Sequence, residues 1–322
     1  MEFKYAMGLW LFGELSDRFT VYRPSKQLQE KFTEAGKVSG ANGIEVMYPT
    51  DFGDDQVNEV GHLLRKHALA PAGLLVDLFG LPKWMNGSFS SKDSQVRKDA
   101  VQLSKQAIDV AVKLDCKTIT LWLGQDGYDY PFQTDYQETR RWLTEGVREV
   151  AEYRSDVNIA LEYKPKEPRT HLFVGTASQA IMLCNDVGLN NVGVTLDVGH
   201  ALVAGENPSE SVAILNTHGK LFHIHLNDNY RSWDDDMLVA SVNLWETLEL
   251  MYWLRKVDYT GWLSLDIYPY REDPVGVCRR SIENLNLLSR LLDVIGIDSL
   301  DACVRKGDPV ETMGVLRKIF RS

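Results

Sequence analysis

Four cysteines are all that the 322 residues carry, and they are scattered: Cys116, Cys184, Cys278 and Cys303 form no CxxC pair. That spacing argues against a zinc ribbon and against a disulfide framework. Proline is also sparse, at 11 residues, with no Pro/Gly-rich linker and no low-complexity tract to mark a domain boundary. No stretch of about 18 apolar residues is present, and the N-terminus has no basic segment followed by an apolar one. No membrane partner is therefore expected, and a cytoplasmic location is. Basic residues are outnumbered, 35 Lys and Arg against 45 Asp and Glu, for a net charge of −10. Phosphate backbones are bound largely by Lys and Arg, so nucleic acid is disfavoured as a partner. The acidity serves either solubility or bound cations.

Short apolar runs alternate with longer amphipathic stretches. Eight such runs occur, at Met7 to Leu11, Gly43 to Met47, Pro71 to Leu75, Thr118 to Leu123, Val157 to Leu161, Val192 to Leu196, Leu221 to Leu226 and Leu263 to Ile267. Between them, Val96, Ala100, Leu103, Ala107, Val110 and Leu114 fall on one helical face, and similar faces recur in 135 to 153 and 274 to 292. No GxGxxG or GxxxxGKS follows a run. Eight strands with helical crossovers predict an α/β fold, a (β/α)8 TIM barrel over residues 1 to 290. A short C-terminal tail, 291 to 322, remains for contact with another subunit.

In such a barrel, chemistry sits where strands pass into the following loops. Four successive strands deliver a polar residue there: Glu162 after IAL, Asp197 after VGVTL, His225 after LFHI and Asp266 after WLSL. Each alone has a plain structural role, an Asp as a helix cap or a His as a satisfied core residue. Together, three carboxylates and an imidazole at one barrel mouth call for a cation, and that donor set suits Mn²⁺, Mg²⁺ or Co²⁺. His200 in LDVGH, with Asp234 and Asp236 in DDDM, supplies donors for a second metal that would share Asp197. An acidic run is otherwise a solvated face. Lys164, two residues beyond Glu162, projects to the same side, although a lysine there can also be an ordinary surface residue. Trp10, Tyr48, Trp122 and Phe79 end or follow other runs and offer flat walls to a sugar, or else belong to the core.

Several segments together resemble the xylose isomerases over most of the first 290 positions: GLWLFGELSDRF, DLFGLPKWMNGSFSSKD, VRKDAVQLSKQAIDVAVKL, ITLWLGQDG, LEYKPKEPR, and LFHIHLN followed by DDDMLVAS. The resemblance implies a structural metal on Glu162, Asp197, His225 and Asp266. It implies a catalytic one on Asp197, His200, Asp234 and Asp236. Lys164 would hydrogen-bond O1 of the opened sugar, Phe79 and Trp122 would wall the hydride path, Trp10 would line the pocket, and Phe19 would reach a neighbouring subunit. The chain departs from the family in having His225 where an acidic residue is usual and a reduced C-terminal arm. It also has IEVMYPTDF where the ring-opening histidine belongs, which leaves Tyr48 or Asp51 as substitutes. His225 and the DDD loop also resemble rhamnose isomerases.

The resemblance implies a homo-oligomeric, metal-dependent aldose–ketose isomerase of a monosaccharide. Hydride would pass between C1 and C2, Asp236 would carry the hydroxyl proton through water, and Mn²⁺ is the expected cofactor. The alternative is a ketose 3-epimerase with one metal, in which Glu162 and Asp266 exchange protons on opposite faces. The six-residue step from His225 to Arg231 fits that class and makes Arg231 a substrate-binding candidate. An endonuclease IV-like phosphodiesterase would need a basic groove, which this acidic chain lacks. A sugar-binding protein without catalysis would take up sugar and metal but leave the C2 hydrogen in place.

Overall fold

The computed structural model describes residues 2 to 320. Its central sheet has eight parallel strands: β1 (Lys4–Met7), β2 (Gly43–Tyr48), β3 (Ala70–Val76), β4 (Thr118–Trp122), β5 (Asn158–Glu162), β6 (Val192–Asp197), β7 (Leu221–Leu226) and β8 (Trp262–Leu265). Neighbours in sequence are neighbours in space from β2 to β8, and β8 pairs with β1. The ring closes between β1 and β2 through the bridge Gly8–Glu45 and the bond from Asn42 N to Tyr5 O at 3.0 Å. This is the (β/α)8 barrel that the alternation predicts.

The strands read as continuous apolar runs because helices cover their outer faces while the barrel interior packs their inner ones. The helices begin where capping side chains satisfy otherwise unpaired N–H groups. Asp93 accepts from Gln95 N (2.8 Å) ahead of Ser94–Lys113, Asp135 accepts from Gln137 N (2.9 Å) ahead of Tyr136–Tyr153, and Asp273 accepts from Gly276 N (2.6 Å) ahead of Pro274–Ile295.

Two boundaries differ from the sequence expectation by more than two residues. The first apolar run is a strand only to Met7; Leu9–Phe12 turns as a 3-10 helix. A side chain at Gly8 would collide with the Trp10 ring, its Cβ 2.2 Å from Cε2, so glycine lets that ring fold over the strand end. At the other end, the helix Pro274–Ile295 runs through position 290, and two helices, Ile297–Lys306 and Pro309–Leu316, follow it. They fold back on the chain's own barrel: Leu300 and Cys303 are buried, and Asp301 accepts from Lys256 at 3.2 Å. Among the described residues no helix is long and apolar enough to cross a membrane.

Candidate active site

The strand ends meet in register. Trp122 stands beside Glu162, Thr195 beside Glu162, and Asp197 beside His225, while Asp266 follows β8 with its N–H bonded to Leu226 O at 3.1 Å. Glu162, Asp197, His225 and Asp266 thereby place one donor atom each within 4.8 Å of one another. His225 Nδ1 lies 3.3 Å from Asp266 Oδ2, 3.6 Å from Glu162 Oε1 and 4.0 Å from Asp197 Oδ2. The second set is Asp197, His200 and Asp234, equally compact.

Asp197 fills two roles at once. Its Oδ1 caps the short helix Val198–Val203 by accepting from His200 N at 2.8 Å, and this cap brings the His200 ring one turn on, over the cluster. Asp234 and Asp236 reach the mouth because the loop after β7 is bound back on itself. Asp228 pairs by backbone with Met237, and its carboxylate accepts from Asn243 N at 3.0 Å. His200 Nε2 and Asp234 Oδ2 are 3.0 Å apart. Asp236 stands beside the second set rather than inside it, accepting from Asn227 Nδ2 at 3.3 Å. Asn227 also donates to Asp197 Oδ2 at 3.0 Å.

Lys164 is 7% exposed, with Nζ 2.5 Å from Glu167 and 2.9 Å from Asp234, and it lies over the Trp122 ring at 5.2 Å. It is buried at the barrel mouth and is not a surface residue. Phe79 meets Trp122 edge to face at 4.3 Å, and the Trp10 indole N–H donates to Asp266 Oδ1 at 2.8 Å. The turn carrying Phe79 is set by Asp77, which accepts from Gly80 N at 2.7 Å. Around these residues is a cavity of about 220 Å³, lined also by Met47, Leu75, Trp233, Tyr268 and Tyr270, none of which the motifs identified.

Three candidates, Arg231, Tyr48 and Asp51, do not line this cavity. Arg231 is held at the surface by Glu246, 2.6 Å away, and does not line this cavity. Tyr48 donates to Asp54 at 2.6 Å and Asp51 accepts from Lys31 at 2.7 Å, both outside this cavity. Met47 faces the cavity from that strand, and its neighbour Tyr48 must then face the opposite way. Phe19 is 78% exposed on the hairpin of Leu15–Ser16 and Val21–Arg23.

Electrostatics fit a cation. Burial, with the like charges of Asp234, Glu162 and Asp266, raises the Asp197 carboxyl to about 7 although His200 opposes the shift. Burial and the neighbouring Asp234 and Asp266 drive Asp236 well above the usual carboxylate range. Asp197 and Asp234 raise His200 to about 9 against its burial. Asp234 goes the other way: despite burial, His200 and Lys164 hold it far below the usual range. His225 Nδ1, His200 Nδ1 and Asp234 Oδ1 are buried without hydrogen-bond partners among the described residues. Unpaired donor atoms converging among carboxylates are what a hard divalent cation satisfies.

Comparison with known proteins agrees with this geometry. A family model described as xylose isomerase-like TIM barrel matches residues 34 to 288. A xylose isomerase of Thermus thermophilus is 27% identical over 293 residues, spanning 86% of this chain and 76% of that protein. Among solved structures, a D-tagatose 3-epimerase-like protein superposes with a TM-score of 0.71 at 18% identity, covering 89% of this chain and 98% of its own. A 3-keto-D-glucoside 4-epimerase from E. coli gives 0.69 at 16% identity, covering 89% and 100%. At those identities the solved structures share the fold.

Proposed function

Because the chain belongs to the xylose isomerase-like TIM barrel family, we propose that it is a metal-dependent isomerase converting a monosaccharide between its aldose and 2-ketose forms. The likeness to a xylose isomerase of Thermus thermophilus supports this reading. The observation that carries the finer reading is the buried Lys164 beside a second ligand set, Asp197, His200 and Asp234, which shares Asp197 with the first. Single-metal chemistry needs neither.

Glu162, Asp197, His225 and Asp266 would hold one divalent cation, Mn²⁺ being the expected one. Asp197, His200 and Asp234, with Asp236 adjacent, would hold another. When bound, such cations supply Lewis-acid polarisation of the sugar carbonyl. The chain's own residues do the rest. Lys164 donates hydrogen bonds to charge developing on O1, inside a site where burial strengthens them. Asp236, its affinity for protons raised by burial, takes up or returns the proton of the O2 hydroxyl through water. As hydride moves from C2 to C1, the C2 alkoxide becomes a carbonyl and O1 gains the proton. Trp10, Phe79 and Trp122 keep bulk water from that path. A homo-oligomer is the expected assembly, with Phe19 free to reach a neighbouring copy.

The epimerase reading keeps one support: Glu162 and Asp266 flank His225 Nδ1 at 3.6 and 3.3 Å. Aldoses deuterated at C2, incubated with the Mn²⁺-loaded protein, separate the two. Pentoses, hexoses and deoxyhexoses form the panel. Deuterium retained on C1 of a ketose product supports the isomerase. Solvent exchange at C3 of a ketose, with no aldose formed, rejects it for the epimerase.

A further inference from the structure

Behind the ligand cluster, two histidines of one strand end on one carboxylate from across the barrel. Glu45 projects inward from the middle of β2 and has no solvent exposure. Its Oε1 lies 2.9 Å from His223 Nε2 and its Oε2 3.2 Å from His225 Nε2. The histidines share a strand face by two-residue alternation, and their rings meet edge to face at 5.2 Å. Space for the carboxylate comes from Gly73 on β3, where a Cβ would lie 2.6 Å from Glu45 Oε2.

An ionised carboxylate only accepts hydrogen bonds, so both rings meet it with an Nε2–H. A neutral imidazole with its hydrogen on Nε2 keeps its lone pair on Nδ1. For His225 that is the nitrogen 3.3 Å from Asp266 and 3.6 Å from Glu162, facing these carboxylates without a hydrogen bond among the described residues. We propose that Glu45 is a positioning residue for the cation site: it holds His225 as the Nε2–H tautomer, with the Nδ1 lone pair aimed at the cation, and His223 is the second donor that fixes Glu45. The inference rests on the metal site of the proposed function but not on which sugar reaction occurs there.

The test uses the full chain loaded with Zn²⁺, which is diamagnetic and accepts nitrogen ligands, and ¹⁵N-histidine NMR to read which ring nitrogen carries hydrogen. His225 protonated at Nε2 is expected; hydrogen on Nδ1 would overturn the proposal, and this spectrum needs no variant. Glu45→Gln, which cannot accept from both rings, should weaken Zn²⁺ binding about 10–100-fold with circular dichroism unchanged. A folded variant with wild-type affinity would overturn it as well. Neither readout involves sugar turnover, so a chain inactive on every sugar would leave this result standing.

Discussion

The Lys164 ammonium lies 2.9 Å from Asp234 Oδ2, and the same oxygen is 3.0 Å from His200 Nε2, so one carboxylate joins the chain's own buried cation to the second ligand set. Replacing Lys164 by Met should spare the carboxylates and their metal while removing the donor to O1. Turnover is expected to fall about 10²–10³-fold, the scale for a lost transition-state donor. Metal content by atomic absorption should be unchanged. Wild-type turnover in Lys164→Met would reject the assignment.

Asp197 both caps a helix and belongs to both ligand sets. Asparagine can cap, alanine cannot. In denaturant titrations of the metal-free protein, Asp197→Ala should be less stable than Asp197→Asn by about 1 kcal/mol. Both should lose most cation binding. Wild-type affinity in Asp197→Asn would show that the residue is a cap and nothing more.

Raised proton affinities at Asp197 (about 7), Asp236 and His200 (about 9) mean that these groups hold protons at neutral pH when no cation is bound. A cation must displace those protons, so affinity falls as pH drops below about 7 and rises as pH increases toward 9. Calorimetric titration with Mn²⁺ in buffers of different ionisation enthalpy should register proton release. A heat independent of buffer would contradict this.

Among the described residues lining the cavity, Lys164 is the one lysine or arginine, and it is already engaged by Glu167 and Asp234. A dianionic phosphate brought among those carboxylates meets like charge, which costs several kcal/mol. Sugar phosphates should therefore show kcat/KM at least about 10²-fold below the free sugars. Comparable rates on a phosphorylated and a free sugar would refute this account of the pocket.

The four-residue cluster was legible because each member is a polar residue closing an apolar run, and parallel register then levels the strand ends. Lys164 was legible for the same reason, two residues past a strand end. Glu45 left a fainter trace: a charge inside the run GIEVM and a second histidine two before His225 share inward faces, but their pairing spans 178 residues of sequence and appears only when the barrel closes. Tyr48, open between wall and core in the sequence, falls in the core because a one-residue step along a strand reverses the face, and Met47 holds the position toward the cavity. Arg231 depended on a loop whose ion pair with Glu246 no spacing rule conveys. Trp10 was expected at a strand end and sits in a 3-10 turn, yet Gly8 beside it allows the ring to reach Asp266.

Everything proposed for the site requires cations held in common by side chains from four strands. Manganese retained per chain after loading and gel filtration, counted by mass spectrometry, measures this. Two ions per wild-type chain are predicted, with loss of the ion held by His225 and Asp266 in the double substitution His225→Asn, Asp266→Asn. A wild-type chain that emerges with no manganese above background would contradict it.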